Sequence, residues 1–157
     1  MRKLAAHYLV SDTGVFLKNG MAVVGDDGFI SQYTDTKGDL REVEQLIFHS
    51  GILMAGFKFT KASSTQAVST PNKPFRSCVL QAIAESTQLS MHHLIELGKE
   101  VQLQFPEIKI PAIMNQIEEI LFEVGFLKDT MPGIFLLKGV NLVELHFTSE
   151  SRLKKIL

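Results

Sequence analysis

The stretch Leu46 to Ser63, LIFHSGILMAGFKFTKAS, constrains this chain more than any other. Two apolar runs meet in it, Val43 to His49 and Ile52 to Phe57, with Ser50-Gly51 between them. Short runs rich in β-branched and aromatic residues read as strands, and a Ser-Gly pair is a turn signal. The expectation is therefore two strands joined at Ser50-Gly51, a glycine step at Gly56, and then a linker. From Ser63 to Pro74, Ser, Thr, Gln, Asn and two prolines replace the large apolar side chains. Whatever follows belongs to a different layer.

The residues before this stretch have the same character. Leu4 to Val10, Val15 to Leu17, Met21 to Val24 and Phe29 to Tyr33 are strand-like runs. They are separated by Asp12-Thr13-Gly14, by Lys18-Asn19-Gly20 and by Gly25-Asp26-Asp27-Gly28. Asn-Gly suits the positive φ values of a tight hairpin turn. A meander of short strands at this spacing points to a β-sandwich or small barrel. Thr34 to Arg41 is polar and reads as a loop.

After the linker the period changes. Arg76 to Glu85 fits a short helix, and Ser90 can cap a longer one in which Met91, Leu94, Ile95, Gly98 and Val101 share a face. Phe105-Pro106 ends it. Pro111 suits a helix start, and Ile113, Ile117, Ile120, Leu121 and Val124 form the next apolar stripe, which closes near Gly125. Two amphipathic helices on a short link pack against each other. Asp129 to Gly133 then reads as a turn. Ile134 to Leu137 and Leu142 to Phe147 read as strands around Lys138-Gly139, and Ser149 to Leu157 is short, basic and amphipathic. Late strands must join a sheet, and the N-terminal one is the sheet on offer. The fold expectation is α+β and a single domain over 1–157: a composite β-sandwich from 1–60 and 129–157, with a helical insertion of two or three helices at 75–128.

At 157 residues the chain can bury a sizeable core but is too short for a full (β/α)₈ barrel of roughly 250 residues. A hydrophobic share of 45% and a charged share of 21% are globular values. With a net charge of −1 and no basic block, nothing here attracts nucleic acid. The lone Cys78 cannot form an internal disulfide, which points to a reducing, cytoplasmic location. Ala5 to Val10 is interrupted by His7 and Tyr8, too early for a signal peptide, and no apolar run is long enough for a membrane span.

Several segments resemble the amidohydrolase superfamily, in particular its cytosine-deaminase-like and chlorohydrolase-like metal-dependent hydrolases. Lys18-Asn19-Gly20-Met21-Ala22-Val23-Val24 followed by Gly28-Phe29-Ile30 is similar to the family's opening strands. Gly51-Ile52-Leu53-Met54-Ala55-Gly56-Phe57 is similar to its G-x-L-x-P-G-F step, with Ala55 in place of the proline. Ser86 to Ile108 resembles a late helix of some members, and Pro132-Gly133-Ile134 to Leu145 the closing strands. The resemblance implies a composite sandwich that flanks a catalytic barrel, with the barrel nearly all missing here. A sandwich shaped against a barrel would expose an apolar patch of several hundred Å², so the inserted helices are expected to cover that face.

The chemistry departs from the family. Its two metal-binding histidine positions fall on Lys61 and Ser63, and its late aspartate falls near Gln81 or Ala82. Lysine is a cation with no lone pair to give, and serine is a poor ligand for zinc or iron. Without metal no hydrolytic water is activated near neutral pH. The expected function is that of a non-catalytic amidohydrolase-like remnant, a structural or protein-interaction module with no cofactor. Its expected partners are a second copy of itself, as a dimer, or a full-length amidohydrolase paralogue. The alternative is a metal-dependent hydrolase relative acting on C–N bonds, or a small-ligand binder using a pocket between sandwich and helices, lined by Lys61, Gln81 and His93.

Other candidates carry less. His92 and His93 are adjacent, so on a helix they point about 100° apart and cannot chelate one metal. His7, His49 and His146 lie in expected strands and would converge only through the topology. Cys78 lacks an activating neighbour in the sequence. Glu118, Glu119 and Glu123 read as the solvated face of a helix.

Overall fold

A computed structural model of the chain describes residues 2–11, 14–37, 46–62 and 74–157. The linker expected from Ser63 falls outside them as far as residue 73, as do the second half of the 34–41 loop and the start of the Val43 run. The elements in chain order are β1 (Arg2–Val10), β2 (Phe16–Lys18), β3 (Gly20–Val24), β4 (Ile30–Asp35), β5 (Leu46–Lys61), α1 (Pro74–Ile83), β6 (Gln88–Ser90), α2 (Met91–Gln104), α3 (Ile110–Glu123), β7 (Phe126–Lys138) and β8 (Arg152–Lys155). The described strands form one eight-stranded sheet in the order β4-β3-β1-β5-β7-β8, with β2 beside β1 and β6 beside β5. Strands therefore come from both ends of the chain, and the helices enter between β5 and β7. That much of the mixed α and β expectation holds. The strands follow one open hydrogen-bonded path rather than two facing sheets.

Two turn signals produce bends instead of reversals. β5 is a single strand of 16 residues, not two strands joined at Ser50-Gly51. Its first half runs parallel to β1, from Lys3↔Leu46 to Val10↔Met54, and its second half pairs antiparallel with β7. Gly51 has φ +137, which lets the strand kink and continue. A Cβ there would stand 2.5 Å from the Leu137 carbonyl oxygen, so neither its conformation nor its surroundings admit a side chain. Lys18-Asn19-Gly20 is also no hairpin. β2 and β3 both run antiparallel to β1 in one continuing register, Val10↔Phe16 through Arg2↔Val24. Asn19 takes φ +54 between them while its amide still bonds to the His7 carbonyl.

Two later expectations are also corrected, and a third segment gains a structure. Asp129 to Gly133 lies inside β7, where Met131-Pro132-Gly133 bulges opposite Gly56. A proline in a strand removes a ladder donor, and a bulge is where that costs least. Leu142 to Phe147 is turn-rich rather than a strand, with one bridge between Asn141 and His146. The Asn141 side-chain oxygen accepts from the amides of Val143 and Glu144, both at 3.0 Å, so asparagine turn chemistry prevails over the apolar alternation. Ser149 to Leu157 contains β8, an edge strand whose exposed Arg152, Lys154 and Lys155 suit a sheet edge.

The helices follow the sequence closely. Ser90 is the N-cap of α2, accepting from the His93 amide while the His93 ring accepts from the Ser90 amide. Pro111 lies in the first turn of α3. Gln102, buried on α2, donates to the carbonyls of Phe105 and Ile108 at 3.2 and 2.8 Å and so staples the link to α3. Leu94, Val101, Ile113, Ile117 and Leu121 are fully buried against Ile52, Phe59 and Phe126 of the sheet. Each such side chain contributes about 1.5–3 kcal/mol. Among the described residues no helix is long and apolar enough to cross a membrane.

The opposite sheet face has its own core of Leu4, Ala6, Leu9, Ala22, Val24, Leu53, Ile134 and Leu136, and it is covered differently. Ile30 and Tyr33 of β4 and the terminal Ile156 and Leu157 pack on it. The sheet curls to bring them there. The Gly133 amide of β7 donates to the carbonyl of Gly28, in the turn between β3 and β4, at 2.9 Å, although three strand spacings of about 4.8 Å would place β3 and β7 roughly 14 Å apart in a flat sheet.

The bend at Gly51 yields the first prediction. Gly51→Ala should lower stability by roughly 1–3 kcal/mol from backbone strain alone, read as a drop in the urea midpoint. An unchanged midpoint would mean that β5 does not bend there.

Candidate functional site: an apolar cleft at the strand bulge

The cleft originates in a mismatch between β5 and β7. Their register runs from Ile52↔Leu137 to Ala55↔Ile134 and resumes at Phe57↔Thr130. One residue of β5, Gly56, thus faces three of β7, Met131, Pro132 and Gly133. The gap is kept open because Gly56 has no side chain: a Cβ there would lie 3.1 Å from the Phe135 ring and from the Met131 carbonyl oxygen. The Phe57 amide loses its ladder partner at the bulge and donates instead to the Met91 thioether at 3.4 Å. Beyond the bulge β6 pairs with β5 (Lys58↔Ser90, Phe59↔Leu89) and leads directly into α2. The first turn of α2 therefore lies against the bulge.

The resulting cleft measures about 300 Å³, at the small end of the range of roughly 300–1,000 Å³ usual for small-molecule sites. Phe57, Leu89, Met91, Met131, Pro132 and Phe135 make its apolar lining. The His92 ring stands edge-on to Phe135, with centroids 6.4 Å apart. Lys58, from the middle of the sheet, and Lys155, from the edge strand β8, complete the lining together with Gln88 and Ser90. Among the described residues no carboxylate side chain lines it. The acidic residue nearest by register is Asp129, opposite Lys58 and outside the lining.

Lys61, Gln81 and His93 are not gathered here. Lys61 ends β5 opposite Phe126, Gln81 is exposed on α1, and the His93 ring is held in the Ser90 cap. The groups that do line the cleft are their near neighbours in type, Lys58, Gln88 and His92. One signal was available in the sequence: a proline next to a glycine within a strand-like run marks a bulge.

The remaining candidates are structural. His7 accepts from the Gly51 amide through Nδ1 at 3.3 Å and packs edge-on against Phe48. His146 is a bridge partner of Asn141. Among the described residues no group of three His, Cys, Asp or Glu stands where it could hold a metal ion. Cys78 is a half-buried free thiol. The glutamates of α3 are more than a solvated face: Glu118 pairs with Lys128 at 2.9 Å and Glu123 pairs with Arg76. Lys128 also lies 4.4 Å above the Phe57 ring, so this ion pair braces the far side of the bulged segment.

Comparison with protein-family models, curated proteins and solved structures finds no match to this chain.

His49 lies outside the cleft, and its environment shifts its titration. Burial, then the charges of Lys138 and Lys154, hold His49 below its ordinary pKa of 6.5. The unfolded chain therefore binds a proton more readily than the folded one, and stability falls as the pH drops below 6.5. His49→Gln should flatten that part of the pH–stability curve, measured by urea denaturation between neutral pH and pH about 5. Curves that stay parallel would remove His49 from the acid response.

Proposed function

We propose that this protein is a non-catalytic binding module that holds a small, largely apolar ligand in the cleft at the β5–β7 bulge. The observation that carries this is the cleft itself: a gap opened by Gly56, lined by six apolar side chains, with polar groups confined to a few positions. Sites that bind small organic ligands have this composition. Met91 and Met131 add side chains that adapt to ligand shape.

We further propose that the sheet descends from an amidohydrolase-type composite sandwich. Support comes from the paired contribution of both chain ends and from the curl that brings Ile30, Tyr33, Ile156 and Leu157 over one face. The helices cover the other face, which a catalytic barrel would cover in a full-length relative. On this view Lys61 occupies a position where a hydrolase would hold a metal, and the binding site is a later use of the space at the bulge.

The test uses N-phenyl-1-naphthylamine, a neutral dye that brightens in apolar surroundings. Saturable enhancement at one dye per chain is expected with the native protein. Gln88→Trp, a change at an exposed strand position on the cleft wall, should abolish it while leaving the thermal unfolding midpoint in place. Absence of saturable binding, or equal binding by the variant, would overturn the proposal. Elemental analysis checks the non-catalytic half: zinc and iron are expected far below one equivalent in protein purified from its host, and a stoichiometric metal would contradict it.

A further inference from the structure

The charge of the cleft lining points to one class of ligand. Apart from its apolar lining, the cleft is bordered by the ammonium-bearing Lys58 and Lys155, by His92, and by neutral Gln88 and Ser90. The two lysines reach it from different strands. Lys58 lies on β5 with Ser90 and Asp129 as cross-strand neighbours, whereas Lys155 lies on β8 directly opposite Phe135. Cross-strand partners share a face of the sheet, so Lys155 and the Phe135 ring are presented together. The same holds for Lys58 and Ser90. Among the described residues the apolar lining thus has a cation on each of two sides and no carboxylate side chain within it, Asp129 lying across from Lys58 but outside the lining.

From this we infer that the ligand is an anionic amphiphile: a short aliphatic or aromatic chain ending in a single carboxylate or an equivalent oxyanion. The inference rests on the cleft being the binding site. The apolar portion lies along Phe57, Met91, Met131 and Phe135, and the acid group stands between Lys58 and Lys155. Two observations favour an acid over a neutral ligand of the same shape. A neutral ligand would displace water from two lysines without replacing it, which disfavours binding, whereas an oxyanion gives them charge-assisted hydrogen bonds. The acidic side chain nearest by register among the described residues, Asp129, is exposed and lies outside the lining, so it does not fill the anion position. The small volume, about 300 Å³, excludes long-chain lipids lying wholly inside the cleft. It also leaves no room for a bulky head group beside the chain.

The experiment compares octanoate with 1-octanol, which share a chain and differ in charge, as competitors of the neutral dye bound to the native protein. Octanoate is expected to displace the dye about tenfold more effectively than the alcohol. That preference should shrink as salt is raised. The double variant Lys58→Met, Lys155→Met should still bind the dye but lose the preference, and Lys58→Arg, Lys155→Arg should keep it. Equal displacement by acid and alcohol would overturn the anionic assignment while leaving the cleft as the site. A preference that survives in the methionine variant would overturn it too, by placing the acid group elsewhere. Failure of the native protein to bind the dye, the acid and the alcohol alike would overturn the cleft as a site, and this inference with it. Because the methionine variant is judged by its retained dye binding, a variant that fails to fold is recognised, and the salt dependence of the native protein then decides the question.

Discussion

The pairing of one long strand with both ends of the chain holds this molecule together. β5 runs parallel to β1 over its first half and antiparallel to β7 over its second, with β6 taking the place of β1 beyond the bulge. Every other strand attaches through one of these three. A strand of 16 residues is far longer than the usual five or six. It can serve both halves because it bends twice at residues without side chains. At Gly51 the backbone takes a conformation and a proximity to Leu137 that only glycine allows. At Gly56 it passes beneath Phe135 and Met131.

The two faces of the sheet are covered by different means. One carries α1, α2 and α3, whose isoleucine and leucine stripes meet Ile52, Phe59 and Phe126. The other carries no helix among the described residues and is closed by the sheet's own curvature, fixed by the Gly133 to Gly28 hydrogen bond and by Ile156 and Leu157. That curl and the bulge in β7 are the same event seen from two sides, because Gly133 belongs to the bulged trio. The residues that close the sheet over one core therefore also open the cleft on its edge. The Lys128–Glu118 ion pair and the Gln102 staple brace the helical side.

Much of this was legible in the residues. The helix start at Ser90, the stop at Phe105-Pro106 and the apolar stripes of α2 and α3 follow from capping chemistry and a 3.6-residue period, which are local properties. The positions of most strands were also legible, because β propensity and alternation are local too. What failed was the meaning of the turn signals. Ser50-Gly51 and Lys18-Asn19-Gly20 permit positive φ, and a permitted positive φ serves a bend as well as a reversal. Leu142 to Phe147 failed for a related reason, since the Asn141 side chain offers its neighbours' amides a nearer partner than any strand.

The sequence by itself determined which residues are apolar at which period, where helices begin and end, and where the backbone is free to turn. Tertiary structure alone decided which strands become neighbours, and so which turn signals reverse the chain and which only bend it. Register is a non-local quantity: it depends on how a run of side chains packs against a partner distant in sequence. The cleft is a product of that register. Gly56, Phe135 and Lys155 are far apart in the chain, and they meet because one residue of β5 faces three of β7.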